Sequence, residues 1–166
     1  IHQWTHVFRY TINDSVILFN GDGNDYCYSL LSIQKKTCTL TLSGTTRSYI
    51  PSRNITLCLS CIKKDNFELA VAKATELGIT RIIPIISSRS EKKNISHERL
   101  EKIVIESAEQ CGRGDVPSIT PITALAAVLT TMKPTDRGIV FTFDGVPYST
   151  IADTLDTKDV LLFVGP

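Results

Sequence analysis

The sequence predicts an α/β protein in which a small all-β domain precedes a parallel sheet covered by helices on both faces. Two observations carry this prediction. Over residues 1–47 the apolar residues come in short runs rich in β-branched and aromatic side chains, separated by turn clusters. From Ile55 onward, near-continuous apolar runs of strand length alternate with stretches of helical periodicity. That is the pattern of strands buried on both faces by crossover helices.

In the first part, Val16–Asn20, Tyr26–Ile33 and Thr37–Leu42 read as strands. The cluster from Asn20 to Asp25 (NGDGND) separates the first two, and Gln34-Lys35-Lys36 the next two. This spacing suits a small antiparallel barrel or sandwich. Ser43 to Arg53, with Gly44, Pro51 and few apolar residues, reads as the connection to the second part.

The second part opens with a strand over Ile55–Ile62. A helix over Asp65–Leu77 follows, in which Asp65 can cap and Glu68 completes a capping box. Phe67, Ala70, Val71, Ala74 and Leu77 share one face, and Gly78 supplies the stop. The strand Ile82–Ile86 contains Pro84, which lacks an N–H and predicts an edge position or a bulge. Ser96 caps a second helix carrying the stripe Leu100, Ile103, Val104, Ser107, Ala108 and Cys111. Beside it lies a polar ridge of Arg99, Glu106, Gln110 and Arg113. Then come an extended segment at Pro117–Thr120, a helix opened by Thr123, and a buried strand at Gly138–Phe143. A short helix at Ser149–Leu155 and a buried strand at Asp159–Val164 complete the order. Ligands of such sheets gather at the carboxyl ends of the strands. That singles out Ser87–Asn94, Asp144–Tyr148 and the chain after Gly165-Pro166.

Composition excludes little. The 166 residues are 42% apolar and 21% charged with a formal charge of +1, so net charge neither demands nor forbids nucleic acid. No apolar run approaches the roughly 18 residues of a membrane span, and no basic-then-apolar leader opens the sequence. Ile1 in place of Met leads to the expectation that the natural N-terminus lies upstream. Five cysteines without a leader read as reduced thiols in the cytoplasm. Cys58 and Cys61 form a CxxC, but on a strand residues three apart face opposite ways, which disfavours a zinc or redox site. His2 and His6 lack further ligands nearby, and His97 belongs to a solvated first turn, so no metal is expected. Glycine fingerprints for nucleotides and a serine nucleophile elbow are absent.

The run KATELGITRIIPIISSRS, then ERLEKIVIESAEQCGRGDVPSI, then LLFVGP resembles the ribosomal RNA small subunit methyltransferase E family. THVFR followed by FNGDGNDY is similar to that family's PUA-like β-domain, so the resemblance spans nearly the whole chain. It implies a PUA-like β-barrel over residues 1–47, a linker over 48–54 and a SPOUT-type methyltransferase domain over 55–166. It further implies S-adenosyl-L-methionine as cofactor, N3 of a uridine in 16S rRNA as target, a homodimer, and a cytoplasmic location away from membranes. Two departures stand out. The family continues past Gly-Pro into Glu-Gly-Gly and a trefoil-knotted segment, whereas this sequence stops at Pro166, and the stretch between Arg89 and Arg99 is shorter than the family's. The expectation follows that the chain to Pro166 does not methylate RNA by itself, and that Leu161 and Phe163 are partly exposed.

On this resemblance Arg89 and Arg113 are the catalytic candidates. Either can pair with a phosphate or stabilise the charge on the uracil oxygens as N3 loses its proton. Both are expected near the carboxyl ends of the strands, and Arg113→Ala is expected to lower methylation more than stability. The plainer reading makes them surface charges, with Arg113 pairing with Glu106. Arg9, Arg53, Lys73 and Gln110 are candidate RNA contacts, with Lys35, Lys36 and Arg47 behind them. Lys73 with Glu76 also reads as a simple i, i+3 pair. Phe143, Asp144, Gly145, Gly165 and Pro166 are the cofactor candidates, Asp144 for a ribose hydroxyl and the glycines for close backbone approach. No residue presents itself as a general base. A non-catalytic RNA-binding protein with a PUA-like domain is the competing reading.

Overall fold

The computed structural model describes residues 1–87, 90, 95–152, 157 and 159–165. The chain parts into two compact units, Ile1–Ile50 with Arg113–Asp115, and Pro51–Gly112 with Val116–Pro166.

In the N-terminal unit a π-helical turn over Gln3–Val7 precedes strands β1 (Ser15–Leu18), β2 (Asn24–Ile33) and β3 (Cys38–Arg47). They form an antiparallel sheet in the order β1-β2-β3, with Val16 and Leu30 buried. The turn between β1 and β2 follows its composition. Gly21 and Gly23 take φ of 86° and 84°, where a side chain is strained. The Asp22 carboxylate accepts from the Tyr26 hydroxyl at 2.6 Å and the Asn24 amide at 2.9 Å. β3 runs on to Arg47, through the start of the stretch expected to be a connection. Asn24–Cys27 of β2 offer it backbone partners, and that non-local pairing outweighs the weak strand propensity of Ser43-Gly44. The segment Arg113–Asp115 is built into this unit. The Gly23 amide donates to the Gly114 carbonyl at 3.2 Å. A Cβ at Gly114 would overlap the Ser48 side chain and come within 3.0 Å of the Asp25 carboxylate.

The C-terminal unit has a parallel sheet of β4 (Asn54–Ser60), β5 (Arg81–Ile86), β6 (Ser118–Ile119), β7 (Thr123–Ala124), β8 (Arg137–Val140) and β9 (Asp159–Val164). Its order is β6-β5-β4-β9-β8, with β7 pairing β5 beyond β6. Helices α1 (Lys64–Glu76), α2 (His97–Cys111), α3 (Leu125–Thr131) and α4 (Tyr148–Ile151) connect the strands. Alternation along β4 and β5 sends side chains both ways. Leu57, Leu59 and Ile82 join Phe67, Val71, Leu100 and Val104 of α1 and α2 in one core. Cys58, Ile83 and Ile85 meet Val128 of α3 and Phe163 of β9 in the other. Phe163 is therefore buried under α3, not partly exposed as expected, while Leu161 is half-buried. Among the described residues no helix is long and apolar enough to cross a membrane.

Local signals near the helices hold in part. Ser96 Oγ accepts from the Arg99 amide at 3.3 Å and caps α2. Gly78, at φ 94°, ends α1 with paired bonds from the Gly78 amide to Thr75 and the Ile79 amide to Ala74, a Schellman arrangement. The expected Asp65 capping box does not form. α1 starts at Lys64 with Lys63 at the cap, and Glu68 instead faces Lys64 at 3.9 Å and Arg99 at 3.3 Å. Thr123 belongs to β7 and does not open the next helix, which starts at Leu125.

Pro84 is neither at a sheet edge nor at a bulge. β5 lies inside the sheet, and its pairing with β4 runs unbroken through Leu59 and Pro84. Ile82 accepts from Thr120 on the β6 side and Ile85 accepts from Cys61 on the β4 side. Alternation thus turns the Pro84 nitrogen to the β6 side, where β6 has ended at Ile119 and β7 begins at Thr123. The neighbouring strand is broken where a donor is missing.

Candidate functional site

β4, β5, β8 and β9 end together, and beyond their carboxyl ends the sheet and α3 leave a cavity of about 590 Å³. Its lining comes from the ends of those four strands: Ser60, Ile85 and Ser87, Gly138 and Val140–Thr142, and Phe163–Gly165. α3 adds Leu125 and Leu129, and Met132 closes that side. The register explains the convergence, since Ser60 pairs with Ile85, Leu59 with Val164, and Val140 with Phe163. The volume lies in the range of roughly 300–1,000 Å³ typical of small-molecule sites.

The walls are mainly aliphatic and aromatic, and the polar side chains among the lining residues are hydroxyls: Ser60, Ser87 and Thr142. Two glycines keep the space open. A Cβ at Gly165 would come 2.8 Å from Ser60 Oγ, and one at Gly138 would lie 3.2 Å from Met132 Cε and 3.4 Å from the Phe163 ring. Ser87 is engaged with Ser90, its amide donating to Ser90 Oγ at 3.1 Å and the two hydroxyls 3.1 Å apart. A site like this holds a mostly neutral, partly aromatic ligand through shape and a few hydroxyl contacts.

Residues 50–166 match a family described as an RNA methyltransferase domain, and residues 5–43 one described as an RNA methyltransferase PUA domain. The chain belongs to the RNA methyltransferase family. It is similar to ribosomal RNA small subunit methyltransferase E of Rickettsia conorii, at 29% identity over 170 residues covering 100% of this chain and 68% of the relative. The protein of the same name from Bacillus subtilis is 28% identical over 147 residues, covering 84% of this chain and 57% of the relative. Among solved structures, ribosomal RNA small subunit methyltransferase E from Neisseria gonorrhoeae, bound to S-adenosyl methionine, superposes with a TM-score of 0.89 at 26% identity. That match covers 99% of this chain and 70% of the other. The PUA and SPOUT-type α/β architecture expected from the sequence is thereby shown.

In this RNA methyltransferase chain the site candidates are scattered. Gly165 stands at the cavity. Phe143 and Asp144 are exposed in the loop after β8, and Gly145 lines a second hollow of about 440 Å³ with Val146, Tyr148 and Ile151. β8 itself is an edge strand of four residues with a largely exposed surface, not the buried strand to Phe143 that its apolar sequence suggested. Arg89 and Pro166 lie outside the described residues. Lys73 binds the Glu76 carboxylate at 2.8 Å on α1, as its spacing allowed. Gln110, Arg53 and Arg9 are exposed, Arg9 with φ of 55°.

Arg113 is not part of a polar ridge on α2. It is 8% exposed and donates from Nε to Asp115 Oδ1 at 3.0 Å and from Nη2 to Oδ2 at 2.7 Å. Lys102 is the ion-pair partner of Glu106, at 3.8 Å. Arg113 follows Gly112, the left-handed cap of α2, and lies in the segment built into the N-terminal unit.

Ser60 carries no local signal in the sequence. ITLCLSCI reads as one strand to Ile62, which makes Ser60 an interior side chain, yet β4 ends at Ser60 because α1 begins at Lys64. The carboxyl-end rule that picked out Ser87 and Gly165 applies to it equally.

Cys58 and Cys61 are both buried, and burial pushes the Cys58 thiol from 9.0 to about 11 and raises that of Cys61. At neutral pH both stay protonated, which does not suit thiolate chemistry. Cys58 is harder to ionise folded than unfolded, so its contribution is intact below pH 9.0 and is lost as pH rises to about 11. The thermal midpoint should fall over that window, and fall less in Cys58→Ala, when followed by calorimetry.

Proposed function

We propose that the full-length protein methylates N3 of a uridine in 16S rRNA with S-adenosylmethionine bound at the carboxyl ends of β4, β5, β8 and β9. The observation that carries the reading is the cavity itself, in a chain of this family: aliphatic walls, hydroxyls at the strand ends, and glycines where a Cβ would intrude. The residues present fit this cofactor. Leu125, Leu129, Met132 and Phe163 would hold the flat faces of its heterocycle, and the backbone at Val164-Gly165 would approach its polar edge. When bound, the cofactor supplies a methyl group made electrophilic by its sulfonium.

The chain's own part at this pole is orientation and exclusion of water. The uracil imide is weakly acidic and must lose its N3 proton before or during transfer. Among the described residues that line the cavity there is no carboxylate, histidine or lysine to take it. The proton passes to solvent, and the site contributes by fixing the methyl group and base in line, a contribution that can reach several kcal/mol. Exposed Arg9, Arg53 and Gln110 are proposed RNA contacts. A cytoplasmic homodimer acting on the small ribosomal subunit completes the proposal.

Incubation of the full-length protein with labelled S-adenosylmethionine and small subunits from cells lacking the enzyme tests it. Nucleoside mass spectrometry should find 3-methyluridine in 16S rRNA. Label on another base or on 23S rRNA would overturn the assignment, and no transfer despite RNA binding would favour a non-catalytic RNA-binding protein.

A further inference from the structure

We infer that Ser60 is a specificity-determining residue of the cavity, its hydroxyl making the buried hydrogen bond to the nucleoside part of the cofactor. The inference rests on the cofactor reading above and extends it to a residue and to one end of the ligand. Ser60 ends β4, a strand flanked by β5 and β9 in the middle of the sheet. It is 2% exposed, and it lines the cavity. Among the described residues its hydroxyl has no hydrogen-bond partner, nor is its oxygen among the fully enclosed polar atoms left unsatisfied. The surface it keeps is therefore turned to the cavity.

A hydroxyl so deeply placed and unbonded is costly unless a ligand satisfies it. The other two hydroxyls are less suited: Ser87 is tied to Ser90, and Thr142 is exposed. Gly165 is what leaves the oxygen accessible, because a Cβ there would sit 2.8 Å from it.

The choice of ligand end follows from charge. No charged side chain lines the cavity among the described residues. A buried neutral hydroxyl cannot compensate the desolvation of an ammonium or carboxylate. The charged amino-acid end of the cofactor is better placed toward solvent, and the neutral nucleoside against Ser60. The hydroxyl can donate to a ring nitrogen or accept from an amino or ribose hydroxyl group.

The test is calorimetric binding of S-adenosylmethionine and of 5′-methylthioadenosine, which lacks the amino-acid end, to the full-length protein and its Ser60→Ala and Ser60→Cys variants. Both variants should bind each ligand roughly tenfold more weakly, the loss of one buried hydrogen bond, with the ligand-free thermal midpoint not lowered. Unchanged affinity in Ser60→Ala overturns the inference. So does a loss confined to S-adenosylmethionine, which would place Ser60 at the amino-acid end. Wild-type affinity in Ser60→Cys also overturns it, since volume alone would then suffice. If the wild type binds 5′-methylthioadenosine but not S-adenosylmethionine, and the variants weaken it, Ser60 keeps this role and the cofactor reading falls. If the wild type binds neither, both fall.

Discussion

Gly165→Val is expected to lower the affinity for S-adenosylmethionine by more than about a hundredfold while the sheet stays folded. The Cβ alone would meet Ser60 Oγ at 2.8 Å, and the two further methyl groups have only the cavity or the β4 strand to enter. Forcing extra methyl groups into a packed site costs about 1–3 kcal/mol, and filling the cavity removes contact surface from the ligand as well. Together these exceed the roughly 2.7 kcal/mol that a hundredfold loss represents. Circular dichroism should show the same helix and strand content as the wild type, since Gly165 follows the last residue of β9 and carries none of its pairing. A variant that binds the cofactor normally would remove Gly165 from the site.

Arg113→Ala is expected to cost about 3 kcal/mol of stability, chiefly by leaving the Asp115 carboxylate without its bidentate partner. This differs from the expectation from sequence, in which loss of Arg113 would lower methylation much more than stability. The guanidinium is 8% exposed and already engaged. Replacing both partners, Arg113→Met with Asp115→Leu, should cost less than the single change, because no charge is then left buried alone. Urea unfolding of the single and double variants measures this. A loss below about 0.5 kcal/mol in Arg113→Ala would mark an ordinary surface pair.

What could be read beforehand was what local chemistry decides. Gly78 announced its left-handed stop, Ser96 its cap, and the stripe from Leu100 to Ala108 its buried face. The misread positions depend on which strand lies beside which. Pro84 signalled a missing donor correctly, but nothing local shows that the neighbouring strand breaks opposite it. The apolar run GIVFTF reads as buried, while the strand order puts β8 at the edge and leaves Phe141 and Phe143 exposed. Arg113 and Asp115 are two residues apart, a spacing at which the sequence offers no rule for an ion pair; a loop against the N-terminal sheet creates it. Within the candidate site, Gly165 was legible from its position after an apolar strand. Ser60 was not, because its role depends on a strand ending two residues earlier than its pattern suggests.

The most direct measurement is a crystal structure of the full-length protein grown with S-adenosylmethionine. The cofactor should lie beyond the ends of β4, β5, β8 and β9, with its heterocycle against Leu129, Met132 and Phe163 and its nucleoside within hydrogen-bond reach of Ser60 Oγ. Cofactor bound elsewhere on the α/β unit, with this cavity filled by solvent or protein side chains, would contradict the assignment.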